Sequence, residues 1–349
     1  MNREDTIERV AHVQGLVDDL LDLDAVFSTK HTIVMRGRPR VPLADFRTSV
    51  RGRYAAAGYE CRIESAEGRG EPSERVLLTV VVEESARKFP WLNVLLFVLT
   101  VVSVWFSIGG QFAVWFLAIL LFHEFGHFIA ARVRKIDTSW PYFIPAPVFL
   151  GVPSILGTFG AFIQLRSPIR DRRALFDMAA AGPLAGLVVA VVALFVGLSQ
   201  STIAEPGVTG GLKLGESLLF RAVAAIVLPA PVAPGQDIIL HPVAYAGWAG
   251  LLVTMFNLMP IGQLDGGHIA YALIGRRQRY GALAVMGALI VLSYWWPGWL
   301  FLVAFGLIMR PKHPPTLIDE IPLGGRRVAL GWICMATFVL TFVPVPLSL

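Results

Sequence analysis

Two histidines and a glutamate stand together in one apolar run as His123-Glu124-Phe125-Gly126-His127. On a helix, residues four apart share a face with their Cβ atoms about 5–6 Å apart. Both imidazoles can therefore reach one tetrahedral zinc, and Glu124 beside them is placed to take a proton from an attacking water. Ionisable groups inside membrane spans are costly and mostly functional, which favours this reading over polar residues merely satisfied in a helix bundle. Zinc with an open position needs a third protein ligand. Asp265 is the candidate, an acid within Asn257-Leu258-Met259-Pro260-Ile261-Gly262-Gln263-Leu264-Asp265-Gly266-Gly267-His268. Pro260, Gly262, Gly266 and Gly267 would loosen a helix there, letting the carboxylate turn toward a cavity. His268 is read as a bystander, with a supporting or alternative-ligand role left open.

The elements that must position these residues are membrane spans. The chain has 349 residues, 55% hydrophobic and 16% charged, with mean hydropathy +0.63. Soluble domains average about 25% charged residues. Residues 1–88 are mixed in character, and long apolar runs begin at Phe89. Runs of roughly 20 apolar residues are read as spans. They fall at about 91–108, 112–131, 175–198 and 243–274, the last interrupted, with one or two at 281–309 and a final one at 328–346. Gly126 lies six residues before Arg132, and Asp265 eleven before Arg276. At about 1.5 Å per residue these depths are roughly 9 and 16 Å, and a broken helix shortens the second, so the two motifs can meet. Residues 140–165 are apolar but carry Pro141, Pro145, Pro147 and Pro153. A straight helix is implausible there, and irregular backbone at membrane depth needs protein or a wet cavity around it. A re-entrant strand-like element is expected.

The fold class is thus a polytopic α-helical membrane protein with a re-entrant strand-like element and a small N-terminal α+β soluble domain. Residues 1–88 form the soluble domain and 89–349 the membrane domain, with a core at about 90–275 and additional C-terminal spans over 280–349. In the soluble domain the pattern predicts an amphipathic helix over 4–21, a strand at 32–35, a helix over 42–57, and strands at 59–65 and 75–82 flanking the turn Glu67-Gly68-Arg69-Gly70. It carries no concentration of His, Cys or carboxylates tied to chemistry and is read as a regulatory or interaction module. Cys61 and Cys334 lie in different parts of the chain, so no disulfide framework is expected. The start, Met-Asn-Arg-Glu-Asp, resembles neither a signal nor a transit peptide.

The net charge of +5 is no nucleic-acid signature, because the basic residues cluster beside spans. With residues 1–88 inside, the clusters Arg132/Arg134/Lys135, Arg166/Arg170/Arg172/Arg173 and Arg276/Arg277/Arg279 also fall inside. The loop at 199–241, with only Lys213 and Arg221, falls outside. Positive residues concentrate in cytoplasmic loops. A hairpin at 281–309, turning at Trp296-Pro297-Gly298-Trp299, brings Arg310/Lys312 and Arg326/Arg327 inside as well. A bacterial cell membrane with a cytoplasmic N-terminus is the simplest location; a plastid membrane is the alternative for a processed chain.

His-Glu-x-x-His in one span, followed in a later one by Asn-x-x-Pro-x-x-x-Leu-Asp-Gly-Gly, resembles the site-2 protease family of intramembrane zinc metalloproteases, over residues 90–275. The resemblance implies one zinc per chain held by His123, His127 and Asp265, with Glu124 as catalytic base. It implies that Asn257 holds substrate or stabilises an oxyanion. Gly157-Thr158-Phe159-Gly160-Ala161-Phe162 matches the family's Gly-rich strand-like stretch, whose edge would pair with an unwound substrate. Gly182-Pro183-Leu184-Ala185-Gly186 is read as close helix packing. The loop at 199–241 is too short for the PDZ domain of many members, so the branch with an N-terminal soluble extension fits. The expected activity is hydrolysis of peptide bonds within transmembrane segments of other proteins, with those proteins and the lipid bilayer as partners and no nucleic acid. The alternatives are a membrane metal transporter, a non-catalytic membrane-helix-binding protein, or a prenyl-peptide endopeptidase. A transporter would spread its ligands along a path and does not require Glu124. The intact Glu124 argues against a non-catalytic binder. The third relies on a glutamate where this chain has Asp265.

Overall fold

The computed structural model describes residues 3–29, 32–65, 75–82, 89–147, 154–204, 213–229, 232–233, 236–308 and 311–348. Short amphipathic elements open the chain: α1 (Arg3–Gly15), β1 (Leu21–Ser28), β2 (Thr32–Pro39), α2 (Leu43–Ala56), β3 (Glu60–Ser65) and β4 (Val76–Val81). The strands form one antiparallel sheet in the order β1-β2-β4-β3. Alternation decides its faces. Ile33, Met35, Leu78 and Val80 pack against Val13, Phe46, Val50 and Tyr54 from α1 and α2, and the Tyr54 hydroxyl donates to the Val13 carbonyl at 2.6 Å. Val34 and Leu77, which point the other way, are buried against Leu317, Ile318 and Ile321 from the far end of the chain.

Two expectations are corrected here. The first helix ends at Gly15 rather than reaching residue 21, and the segment that follows it becomes β1. Val17, Leu20 and Leu21 continue the apolar period, yet they are buried as a turn and strand start against the same core. The strand expected at 32–35 continues to Pro39 because β1 and β4 both pair with it. The predicted turn at Glu67–Gly70 lies outside the described residues.

Then come α3 (Trp91–Ile108), α4 (Gly110–Val133), β5 (Tyr142–Pro145), β6 (Thr158–Phe162) and α5 (Arg172–Leu198). These three helices are long and apolar enough to cross a membrane. Their outward faces carry Phe106, Phe122 and Val188, all more than half exposed, as suits lipid rather than water. β5 and β6 pair antiparallel, Tyr142 opposite Phe162 and Phe143 opposite Ala161. The Ser103 hydroxyl of α3 ties the ends of the two strands together, lying 2.8 Å from the carbonyl of Ala146 just after β5 and 2.7 Å from that of Gly157 just before β6. At Gly157 the backbone takes φ +72°, and a Cβ there would stand 2.6 Å from the Val104 Cα. Only glycine meets both conditions.

Short elements occupy the loop that follows: β7 (Thr202–Ala204), β8 (Lys213–Leu214), α6 (Leu218–Val227) and β9 (Asp237–Ile239). The interrupted span is α7 (Pro242–Leu258) and α8 (Asp265–Ile274), broken where Pro260 removes a helix donor. α9 (Gln278–Leu292) and α10 (Gly298–Ile308) form the hairpin at Trp296-Pro297, and α11 (Gly325–Thr341) precedes β10 (Leu347–Ser348), which pairs with β8. α4, α5 and α7 pack on one another at the centre. Cys61 and Cys334 are both free, and burial pushes the Cys61 thiol up.

Candidate metal centre

Helical spacing does what it must on α4. His123, Glu124 and His127 share its buried face, each no more than 6% exposed. The two Nε2 atoms are 3.1 Å apart. Asp265 is the first residue of α8, so the break after α7 brings its carboxylate onto α4 from the facing side. Its Oδ2 lies 3.4 Å from His123 Nε2 and 3.2 Å from His127 Nε2. Among the described residues this is the group of three His, Cys, Asp or Glu side chains able to hold a metal ion, with all donor atoms within 4.8 Å of one another.

The imidazoles are oriented by their surroundings. His127 Nδ1 stands 2.8 Å from the Met178 carbonyl of α5, so Nδ1 carries the proton and the Nε2 lone pair faces the centre, the usual arrangement of a ligating histidine. The sequence reading treated Gly182 and Gly186 as packing residues. The structure places them against the site itself. A Cβ at Gly182 would stand 2.2 Å from His127 Nε2, and one at Gly186 would be 3.1 Å from the His123 Cβ. Gly182→Ala is therefore expected to turn His127 aside and lower zinc occupancy at fixed free zinc by about 10-fold or more, read by metal analysis of folded protein. The milder contact at Gly186 predicts a smaller loss for Gly186→Ala.

The donor set tests the fit to zinc. Two imidazole nitrogens and one carboxylate oxygen are three ligands of a type zinc accepts, and a catalytic site leaves the fourth position open. Glu124 adds a second observation, because its Oε2 is buried with no hydrogen-bond partner among the described residues. A buried carboxylate oxygen without a partner is costly and needs a donor such as water. The residues present fit a zinc and its water.

Asn257, in the last turn of α7, holds Nδ2 3.4 Å from His123 Nε2. It lines a cavity of about 270 Å³ with His123, Glu124, Thr158, Phe159 and Gly160. Gly157 stands apart, packed against α3. β6 is paired with β5 along one edge. His268 does not join the donor group: its Nδ1 is 2.5 Å from His313 Nε2. The sequence reading gave His313 no part; its one local signal is a histidine followed by Pro314-Pro315 after two span-like runs.

The chain is similar to known proteins. Similarity extends to the "Probable zinc metalloprotease EGY1, chloroplastic" of Arabidopsis thaliana, 36% identical over 251 residues covering 66% of this chain and 42% of that protein. The rice (Oryza sativa subsp. japonica) protein of the same name is 34% identical over 65% of this chain and 39% of its own length. The "Probable zinc metalloprotease EGY2, chloroplastic" of Arabidopsis thaliana is 29% identical over 65% and 40%. The chain spans about two fifths of the length of these relatives. The model of peptidase family M50 matches residues 111–293, more than half of the chain and inclusive of α4 with both histidines and α8 with Asp265, and the chain belongs to that family.

Proposed function

We propose that this chain is a zinc-dependent intramembrane endopeptidase that hydrolyses peptide bonds in transmembrane segments of other membrane proteins. The observation that carries the proposal is the Glu124 oxygen, without a partner among the described residues, beside three converging donors at the wall of a cavity that also meets β6. His123, His127 and Asp265 hold the zinc, one per chain. Zinc bound there supplies Lewis-acid chemistry, a more acidic water and a polarised scissile carbonyl. Glu124 takes the proton of the attacking water and delivers it to the leaving amine nitrogen. Asn257 presents its amide N–H to the reacting carbonyl oxygen. A helical peptide bond is shielded by its own turn, so the substrate must be extended when cut. The edge of β6 over residues 158–160 offers backbone partners to such a strand without regard to its sequence, and β5 with β6 forms a re-entrant element that brings this edge to membrane depth.

Residues 1–88 act as a soluble domain on the cytoplasmic or stromal side, and residues 89–349 as the membrane domain. The basic clusters beside the spans support that orientation. A metal transporter is disfavoured because the three donors meet at one point with a carboxylate held beside them rather than spaced along a path.

The test is cleavage of a panel of single-span substrates by the purified chain in detergent, with zinc measured on the same samples. Cleavage that is lost on chelation and restored by zinc supports the reading; zinc-independent cleavage sinks it. Asn257→Ala is expected to lower kcat by about 10²-fold, the scale of a lost oxyanion donor, with zinc content unchanged. Zinc lost in step with activity would assign Asn257 to holding His123 instead.

A further inference from the structure

Residues 313–323 join three parts of the molecule. On one side they meet the outer face of the N-terminal sheet. Leu317, Ile318 and Ile321 are buried against Val34 and Leu77, Arg36 Nη1 donates to the Leu317 carbonyl at 2.7 Å, and Arg75 pairs with Glu320 at 2.9 Å. In the middle, the segment pairs with the entry to α5. The N–H groups of Leu317 and Ile318 donate to the carbonyls of Ile169 and Arg170 at 3.1 and 2.8 Å, and Arg173 Nε donates to the Pro322 carbonyl at 2.7 Å.

On the other side the segment grips α8, the helix that begins with Asp265. Asp319 accepts from the Tyr271 hydroxyl, and its other oxygen accepts from the Thr316 hydroxyl at 2.7 Å. The His313 ring stacks on Tyr271 with centroids 4.4 Å apart. The His313 Nδ1–H donates to the Pro314 carbonyl at 2.5 Å, which leaves Nε2 to accept from His268 Nδ1–H at 2.5 Å. One order of protons satisfies the chain from Pro314 through His313 to His268 with both imidazoles neutral. His268 and Tyr271 sit three and six residues after Asp265, so what fixes them fixes the rotation of the helix that presents the ligand.

We infer that residues 313–323 are a strap through which the N-terminal domain sets the geometry of the metal centre. His313 and Asp319 are positioning residues that act through His268 and Tyr271 on Asp265, and the sheet keeps them in place by clamping Leu317, Ile318 and Ile321. The N-terminal domain is then a regulator of the site and not an independent appendage. Whatever lifts the sheet from the strap loosens the aspartate.

The inference rests on zinc being held by His123, His127 and Asp265, so the experiment measures zinc in the wild type first. The full chain in detergent is loaded with zinc and challenged with an excess of chelator, and the rate of zinc loss is followed for wild type, Leu77→Asp, His313→Ala, His313→Gln and the double variant Leu77→Asp/His313→Ala. Leu77 faces away from the α1 and α2 core, so its change strikes the clamp and spares the domain. Leu77→Asp and His313→Ala should each speed zinc loss by about 10-fold, the scale of a lost outer partner of a metal ligand. The double variant should be no faster than the faster single, since both act along one path. His313→Gln, whose side-chain oxygen can accept where Nε2 did, should stay near wild type. If Leu77→Asp does not accumulate folded, Ile321→Ala thins the same contact from the strap side. Zinc held by Leu77→Asp or Ile321→Ala as long as by wild type overturns the inference, as do effects that multiply in the double variant. A wild type that binds no zinc overturns the zinc reading itself and the strap with it.

Discussion

Glu124→Gln is expected to lower kcat by about 10³-fold or more while zinc stays at one per chain. In the proposed mechanism the carboxylate accepts a proton from the attacking water and then donates it to the leaving nitrogen, and general acid–base groups are worth roughly 10²–10⁴-fold. Glutamine has the same shape and cannot do either. It is not among the three converging donors, so metal content should not fall. Stability supplies an independent readout. The Oε2 of Glu124 is buried with no partner among the described residues, and a neutral amide is cheaper to bury than a carboxylate. Metal-free Glu124→Gln should therefore unfold at a temperature equal to or above that of metal-free wild type. A variant that cuts substrates at the wild-type rate would remove Glu124 from the mechanism.

How much of this was legible before folding depends on how local the cause is. The pair His123 and His127 was readable because four residues on a helix fix a shared face whatever surrounds it. The break between α7 and α8 was readable because Pro260 lacks a backbone donor, and the α9–α10 turn because Trp296-Pro297-Gly298 cannot continue a helix. β1 was missed for the converse reason. Val17, Leu20 and Leu21 extend the helical period of α1, and their true burial as turn and strand depends on β2, which comes later in the chain. Gly182 read as packing because nothing in Gly182-Pro183-Leu184-Ala185-Gly186 says which residue of α4 it will face. The strap is the extreme case. Leu317, Ile318 and Ile321 are isolated apolar residues in a Pro-rich stretch, and their partners Val34 and Leu77 lie more than 200 residues earlier.

Asp265→Ala should separate metal binding from folding. Its carboxylate is the only anionic member of the three-donor group, and without it two neutral imidazoles remain. Losing an outer partner of a ligand costs roughly 10–100-fold in metal affinity. Losing the proposed third ligand outright should exceed about 100-fold, leaving the protein essentially free of zinc after dialysis against a weak chelator, and inactive. The helices should nonetheless keep their places. His127 retains the Met178 carbonyl, and α8 retains the Tyr271 bond to Asp319, so helical content and the unfolding temperature of the metal-free protein should match metal-free wild type. Asp265→Glu should fall between. Its extra methylene pushes the carboxylate toward imidazoles already 3.2–3.4 Å from Oδ2, which leaves little room, while charge and ligand type are preserved. Added zinc should then restore part of the activity of Asp265→Glu and little or none of that of Asp265→Ala. An Asp265→Ala protein that keeps stoichiometric zinc would mean that another residue serves as third ligand. His268 would be the first to examine, since it lies one turn along α8 and breaking its bond to His313 would free it to turn.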